Sequence, residues 1–117
     1  MISDSFKRPP RAPDIEAVIT AIATEDGGRQ QAARSGYRPS HNFGRSDGLL
    51  NDAMHEYPDA GSLLPGRTTR VCLWLLAPDL NEGRLYEGMP FTVQEGRRIV
   101  GYGVVTRVCT ATLEMKA

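Results

Sequence analysis

Apolar residues recur at every second position in several short stretches of this chain, and turn residues separate those stretches. In Phe91–Val108, FTVQEGRRIVGYGVVTRV, Phe91 and Val93 alternate with Thr92 and Gln94. A period of two is the pattern of a strand with one face on a core. Glu95-Gly96-Arg97-Arg98 supplies a turn with a glycine free to take positive φ, and Ile99–Val108 resumes a β-branched run. The stretch therefore predicts two strands folded back on each other. Gly101 and Gly103 interrupt the second strand; interior glycines mark a bulge, a barrel corner or a close backbone approach. Thr68–Ala77, TTRVCLWLLA, is the most apolar segment, with Val71, Leu73 and Leu75 on one face and Cys72, Trp74 and Leu76 on the other. A strand apolar on both faces is buried on both, or meets a partner with one of them. Pro78 ends it.

Asp14–Thr24, DIEAVITAIAT, fits two templates. Ile15, Val18, Ile19 and Ile22 fall at helical spacing behind Asp14 as an N-cap, whereas Ile15, Ala17, Ile19 and Ala21 fit a period of two in a β-branched run. Local pattern favours neither. Leu49–Tyr57 can hold a short strand, and Pro39 confines its segment to an edge strand or a strand entrance. Glu25–Arg29, Pro58–Gly61 and Pro65-Gly66 are turns by composition, and Asp79–Pro90 is a long loop. Short strands at turn-punctuated intervals predict an all-β barrel or sandwich. Residues 1–13 carry Pro9, Pro10 and Pro13 among Lys7, Arg8 and Arg11, and read as a flexible basic arm or one laid on RNA or a partner. Residues 110–117 read as a tail that briefly extends the last strand.

Composition narrows this picture. At 117 residues the chain has room for one domain. Fourteen basic residues balance fourteen acidic ones, so any RNA contact must rest on a local patch rather than on net charge. No apolar run approaches the roughly 18–20 residues of a membrane span. Met1–Pro13 lacks the apolar core of a signal peptide, so a cytoplasmic location is expected. Cys72 and Cys109 lie within apolar or β-branched runs without CxxC spacing, which predicts reduced thiols and no zinc site. His41 and His55 are far apart in sequence with no carboxylate at ligand spacing, so no metal is expected there.

Two motifs come close to known chemistry and fail. Gly61–Thr68, GSLLPGRT, has Arg67 where a phosphate loop needs lysine, Pro65 where it needs an amide, and a strand where it needs a helix. Gly101-Tyr102-Gly103 begins a dinucleotide fingerprint, but Thr106 replaces its third glycine. Ser35 and Ser62 lack a nucleophile context, and Asp47, Asp52, Glu56 and Asp59 read as solvated surface. Neither catalysis nor a cofactor is expected.

Three blocks taken together, Glu25-Asp26-Gly27-Gly28-Arg29, Gly36-Tyr37-Arg38-Pro39 and Phe91–Val105, resemble the C-terminal barrel of bacterial elongation factor Tu. Leu64-Pro65-Gly66 followed by Thr69–Pro78 looks like that family's Pro-Gly turn and long apolar strand. The resemblance implies a six-stranded antiparallel closed barrel over residues 14–109, with Asp14–Thr24 as its first strand. It further implies a non-catalytic binding module that contacts a protein partner and tRNA and binds no GTP itself; the alternative is a self-associating structural or regulatory domain outside translation. Arg29, Gln30, Arg38, Glu95, Arg97 and Arg98 become candidate contacts to RNA or protein. Gln30 stands where the family has a histidine, Ser40 where it has a glutamine, and Glu95 matches the family's glutamate near the tRNA T-stem. Trp74, with Cys72 and Leu76 on the same strand face, occupies a position that is small and polar in the family. These three are the expected interface of a homodimer or complex.

Overall fold

Alternation over Ile15–Ala21 turns Ile15, Ala17 and Ile19 inward, where all three are buried, and leaves Val18 and Thr20 outside. This is β1 of a computed structural model that describes residues 6–116. The strand template wins over the helical one because β1 has hydrogen-bonding neighbours along both edges. The remaining strands are β2 (Ala33–Arg34), β3 (Ser40–Asn42), β4 (Asn51–Glu56), β5 (Ser62–Leu63), β6 (Thr68–Leu75), β7 (Pro90–Glu95) and β8 (Arg98–Val108). Six of them close an antiparallel barrel in the order β1-β6-β4-β3-β7-β8, with β8 returning to β1. The predicted six-stranded closed barrel is thus the fold of the chain. Closure removes the open edges at which a sheet recruits other strands. β2 and β5 form a separate two-stranded ribbon. Among the described residues the helical segments are short 3-10 turns, and no helix is long and apolar enough to cross a membrane.

The barrel is filled by the inward positions of each strand. Val71, Leu73 and Leu75 from β6 meet Ile15, Ala17 and Ile19 from β1, Ala53 from β4, and Phe91 and Val93 from β7. Fully burying such a side chain contributes about 1.5–3 kcal/mol, so this layer dominates the stability. The sharp β7–β8 turn places Gly96, at φ +62°, in the first central position, the one a type II′ turn reserves for glycine. Gly103 has a different task. It pairs with Phe91 across the sheet, and a Cβ there would lie 2.2 Å from the Phe91 ring. The glycine leaves the space that the phenyl ring fills. β8 bends at two register shifts, one beside Val93 and one beside Glu16, as a strand curving around a small barrel must.

The described segments flanking the barrel both pack against it. Residues 6–13 lie against the barrel wall rather than standing off as a free arm, because their arginines find acidic and aromatic partners there; residues 1–5 fall outside the described part. The C-terminal segment does not prolong β8. It turns at Ala111–Leu113, buries Leu113, and its Met115 amide donates to the Leu85 carbonyl, since Leu113 and Leu85 complete the core at that end.

Candidate binding surfaces

The turn after β1 builds the first candidate surface. Gly27 takes φ +98°, and Gly28 presses so closely on the Ile22 carbonyl that a Cβ would sit 1.8 Å from its oxygen. This tight reversal sends Arg29 back toward the end of β7. There Arg29 donates to the Glu95 carboxylate, the Tyr37 hydroxyl donates to the same oxygen at 2.6 Å, and the guanidinium lies 4.5 Å from the centre of the Tyr37 ring. Burial, then the hydrogen bond to Glu95, pushes the Tyr37 phenol above its ordinary range. Burial alone would raise the Glu95 carboxyl, but the hydrogen bonds from Tyr37 and Arg29 outweigh it and hold it below its ordinary value. Arg98 donates to the Gly28 carbonyl at 3.2 Å. Arg29, Gln30, Gln31, Glu95 and Arg98 line a cleft of about 260 Å³. The structure therefore brings together Arg29, Gln30, Glu95 and Arg98. Arg38 and Arg97 are exposed but stand outside that lining.

The second surface was expected at Trp74, and the structure places the residues of that expectation in two settings. Leu76 is exposed, whereas Trp74 (2% exposed) and Cys72 are buried although their strand face points outward. The cover is the chain's own arm. The Trp74 indole N–H donates to the Arg11 carbonyl at 2.9 Å, and the Arg8 guanidinium sits 5.3 Å from the indole centre. Burial raises the Cys72 thiol pKa above its ordinary value. Cys72 and Cys109 are both free thiols.

An open apolar surface lies on the neighbouring strands instead. Val18 of β1 pairs with Val104 of β8, which pairs with Pro90 of β7; Tyr102 pairs with Thr20 on one side and Thr92 on the other. Val18, Val104 and Tyr102 are 36%, 44% and 55% exposed. The row Val18–Val104–Pro90 thus leaves an apolar strip across three strands, with Tyr102 between two threonines in the next row. A cleft of about 390 Å³, lined by Asn42, Arg45, Pro90, Thr92 and Tyr102 among others, opens beside it. Singly scattered apolar residues need no explanation, but a strip at matched register does.

The interior holds a polar chain that the separation of His41 and His55 in sequence concealed. Their Nε2 atoms are 2.8 Å apart; His41 Nδ1 lies 3.0 Å from the Asn51 carbonyl and His55 Nδ1 lies 2.9 Å from the Tyr57 hydroxyl. Burial favours the neutral form of both rings, and a carbonyl only accepts, so for neutral rings the direction of the whole chain follows. His41 Nδ1–H donates to Asn51, His55 Nε2–H donates to His41, and Tyr57 O–H donates to His55. Burial lowers the His41 pKa to about 4, and burial followed by the charge of His41 drives His55 well below its ordinary value. Every member is satisfied, and the adjoining cavity of about 20 Å³ has room for about one water. Among the described residues no buried polar side-chain atom lacks a partner, and no three His, Cys, Asp or Glu side chains gather as metal ligands would. The alternation Asn51, Ala53, His55 on the inward face of β4 was the signal that could have placed His55 inside.

Of the carboxylates read as solvated surface, Asp47, Asp52 and Asp59 are exposed and Glu56 is partly buried, and each has a partner. Asp47 pairs with Arg45, Asp59 with Arg70, Glu56 with Arg8, and Asp52 accepts from Ser40. The chain matches no protein-family model.

Proposed function

We propose that the chain is a non-catalytic protein-binding module, akin to the C-terminal barrel of elongation factor Tu, that docks a protein partner on the outer face of β1, β8 and β7. The observation that carries this reading is the exposed row Val18–Val104–Pro90 with Tyr102 beside it. Covering such a strip removes apolar area from water at about 25 cal/mol per Å². Tyrosine anchors of this kind are enriched among residues that dominate binding energy. The buried histidines support the non-catalytic part of the reading. They are neutral, fully hydrogen-bonded and remote from solvent, so they present no free acid, base or ligand atom to a substrate. The test is the size of the native complex. Wild-type chain in its native lysate sediments with a larger assembly or as a homodimer, and Val104→Asp returns it to a folded monomer. An unchanged sedimentation profile for Val104→Asp would remove this face from the proposal.

A second reading, RNA binding, draws support from the Arg29–Arg98 cleft. Two guanidinium groups against one carboxylate, with the Gln30 and Gln31 amides beside them, suit a phosphate and its ribose in a tRNA stem. tRNA affinity at low salt should fall with a log–log slope of roughly −0.7 to −0.9 for each phosphate contact. Arg98→Glu should weaken it uniformly across RNA sequences. No measurable affinity at low salt would end this reading.

A further inference from the structure

The segment lying over Trp74 has the chemistry of a peptide ligand. Its sequence, Phe6-Lys7-Arg8-Pro9-Pro10-Arg11-Ala12-Pro13, combines three prolines with two arginines and a lysine. Proline fixes φ near −65° and favours an extended chain, which lowers the entropy cost of laying the segment on a surface. Residues 6–13 form neither helix nor strand, and among the described residues no backbone–backbone hydrogen bond ties them to the barrel. Side-chain groups hold them instead. The Trp74 indole N–H donates to the Arg11 carbonyl at 2.9 Å, Arg8 Nε donates to Glu56 Oε1 at 3.0 Å, and the Arg8 guanidinium also faces the Trp74 ring. At its far end Phe6 comes close enough to Gly36 that a Cβ there would be 3.3 Å from the Phe6 ring. An aromatic ring with an N–H donor, a carboxylate placed for an arginine, and an extended proline-containing chain between them are elements by which proline-rich segments are recognised.

The anchor of this segment lies at its C-terminal end. Asp14 is buried; its amide donates to the Leu73 carbonyl, and its carboxylate accepts from the Leu75 amide, the Thr110 hydroxyl and, at 3.1 Å, the Arg11 guanidinium, which also donates to the Leu75 carbonyl. The barrel therefore keeps hold of the chain at Asp14 whether or not residues 6–13 stay down.

We propose that the outer face of β4 and β6 around Trp74 and Glu56 is a recognition surface for an extended arginine- and proline-containing segment of a partner protein, and that residues 6–13 occupy it in cis as a displaceable strap. The occupant in trans is a partner rather than a second copy. A second copy's arm makes the same contacts but competes against a tethered arm whose effective concentration is of millimolar order. Only a segment with additional contacts wins that competition.

The test uses the full chain and its single tryptophan, Trp74, as reporter. In wild type, acrylamide quenches Trp74 weakly. Arg8→Glu sets like charges against each other at Glu56, and quenching rises several-fold while circular dichroism stays unchanged. A synthetic peptide of residues 6–13 then restores shielding in a saturable manner. The same peptide with glutamate in place of Arg8 binds at least about tenfold more weakly. The preference inverts on a chain carrying Glu56→Arg, and the double variant Arg8→Glu/Glu56→Arg closes again in cis. Should Arg8→Glu perturb the fold, Arg8→Gln serves the same comparison. Weak quenching in Arg8→Glu equal to wild type, or no discrimination between the two peptides, would overturn the proposal. Concentration-dependent dimerisation of wild type that the Arg8→Glu variant loses would overturn the choice of occupant.

Discussion

On the β4–β6 side of the barrel, Trp74 and Cys72 point away from the core yet are buried, because residues 6–13 lie over them. On the β1–β8 side, Val18, Tyr102 and Val104 also point away from the core and are exposed. The two faces belong to adjoining strands of one ring, since Arg70 of β6 pairs with Val18 of β1. A closed barrel has no edge to protect, so whatever apolar surface it presents lies on strand faces. This chain covers one such face with its own segment and leaves the other to water or to another molecule. Exposure of an apolar residue in a strand pattern is therefore a weak sign of a docking site until the whole chain has been laid out.

Changes under and on these faces should separate them, and the largest effect is expected beneath the bare one. Phe91 fills the space that Gly103 leaves, so Gly103→Ala drives a methyl into the ring. A loss of about 3 kcal/mol in urea unfolding is expected, at the upper end for overpacking. A loss under 1 kcal/mol would mean that Phe91 does not support β8 as described.

Acid probes the interior next to the covered face, because His55 lies on β4. The folded chain keeps both histidines neutral, so between their ordinary pKa of 6.5 and about 4 the unfolded chain binds more protons. Stability is then full above pH 6.5 and falls as the pH drops through that window. The slope approaches about 1.4 kcal/mol per pH unit for each histidine. Unfolding free energies measured from pH 7 to 4.5 should show this fall, and His41→Phe should flatten part of it. A flat profile in wild type would show that one ring is charged or solvated.

On the bare face itself, Val104→Asp should leave stability within about 0.5 kcal/mol while weakening partner association by about 2 kcal/mol, or thirtyfold. Equal losses in both quantities would mark Val104 as structural. The smallest change is expected from Tyr102→Ser, which keeps a hydroxyl but removes the ring, and a several-fold loss in association without a change in melting would assign the ring to the interface.

Much of this layout was legible in the residues. Period-two patterns at Phe91–Glu95 and Thr68–Leu75, and the turn at Gly96, placed β6, β7 and β8 closely, since each depends on local alternation and one glycine. β1 was legible only as two competing templates, because Ile15, Val18, Ile19 and Ile22 satisfy a helix on one side of the chain. Only pairing with β6 and β8 resolves it, and pairing is non-local. The candidate surfaces are less legible. Arg29, Gln30, Glu95 and Arg98 do share a cleft, brought together by the Gly27-Gly28 reversal, but the salt bridge from Arg29 to Glu95 could not be read from either position alone. Alternation puts Trp74 on the face opposite Val71, Leu73 and Leu75, but its cover is not legible, because nothing in a proline-rich basic segment says which wall it lies on. The histidine chain is not legible in the sequence, because β3 and β4 bring together residues that loop-like sequence separates.

Hydroxyl-radical footprinting of the full chain, isolated and in its native lysate, tests the two-face account most directly. The account predicts low labelling of Trp74 in the isolated chain and strong labelling of Tyr102 and Val104, with the latter pair protected several-fold in lysate. Equal labelling of Tyr102 in both settings, or strong labelling of Trp74 in the isolated chain, would contradict it.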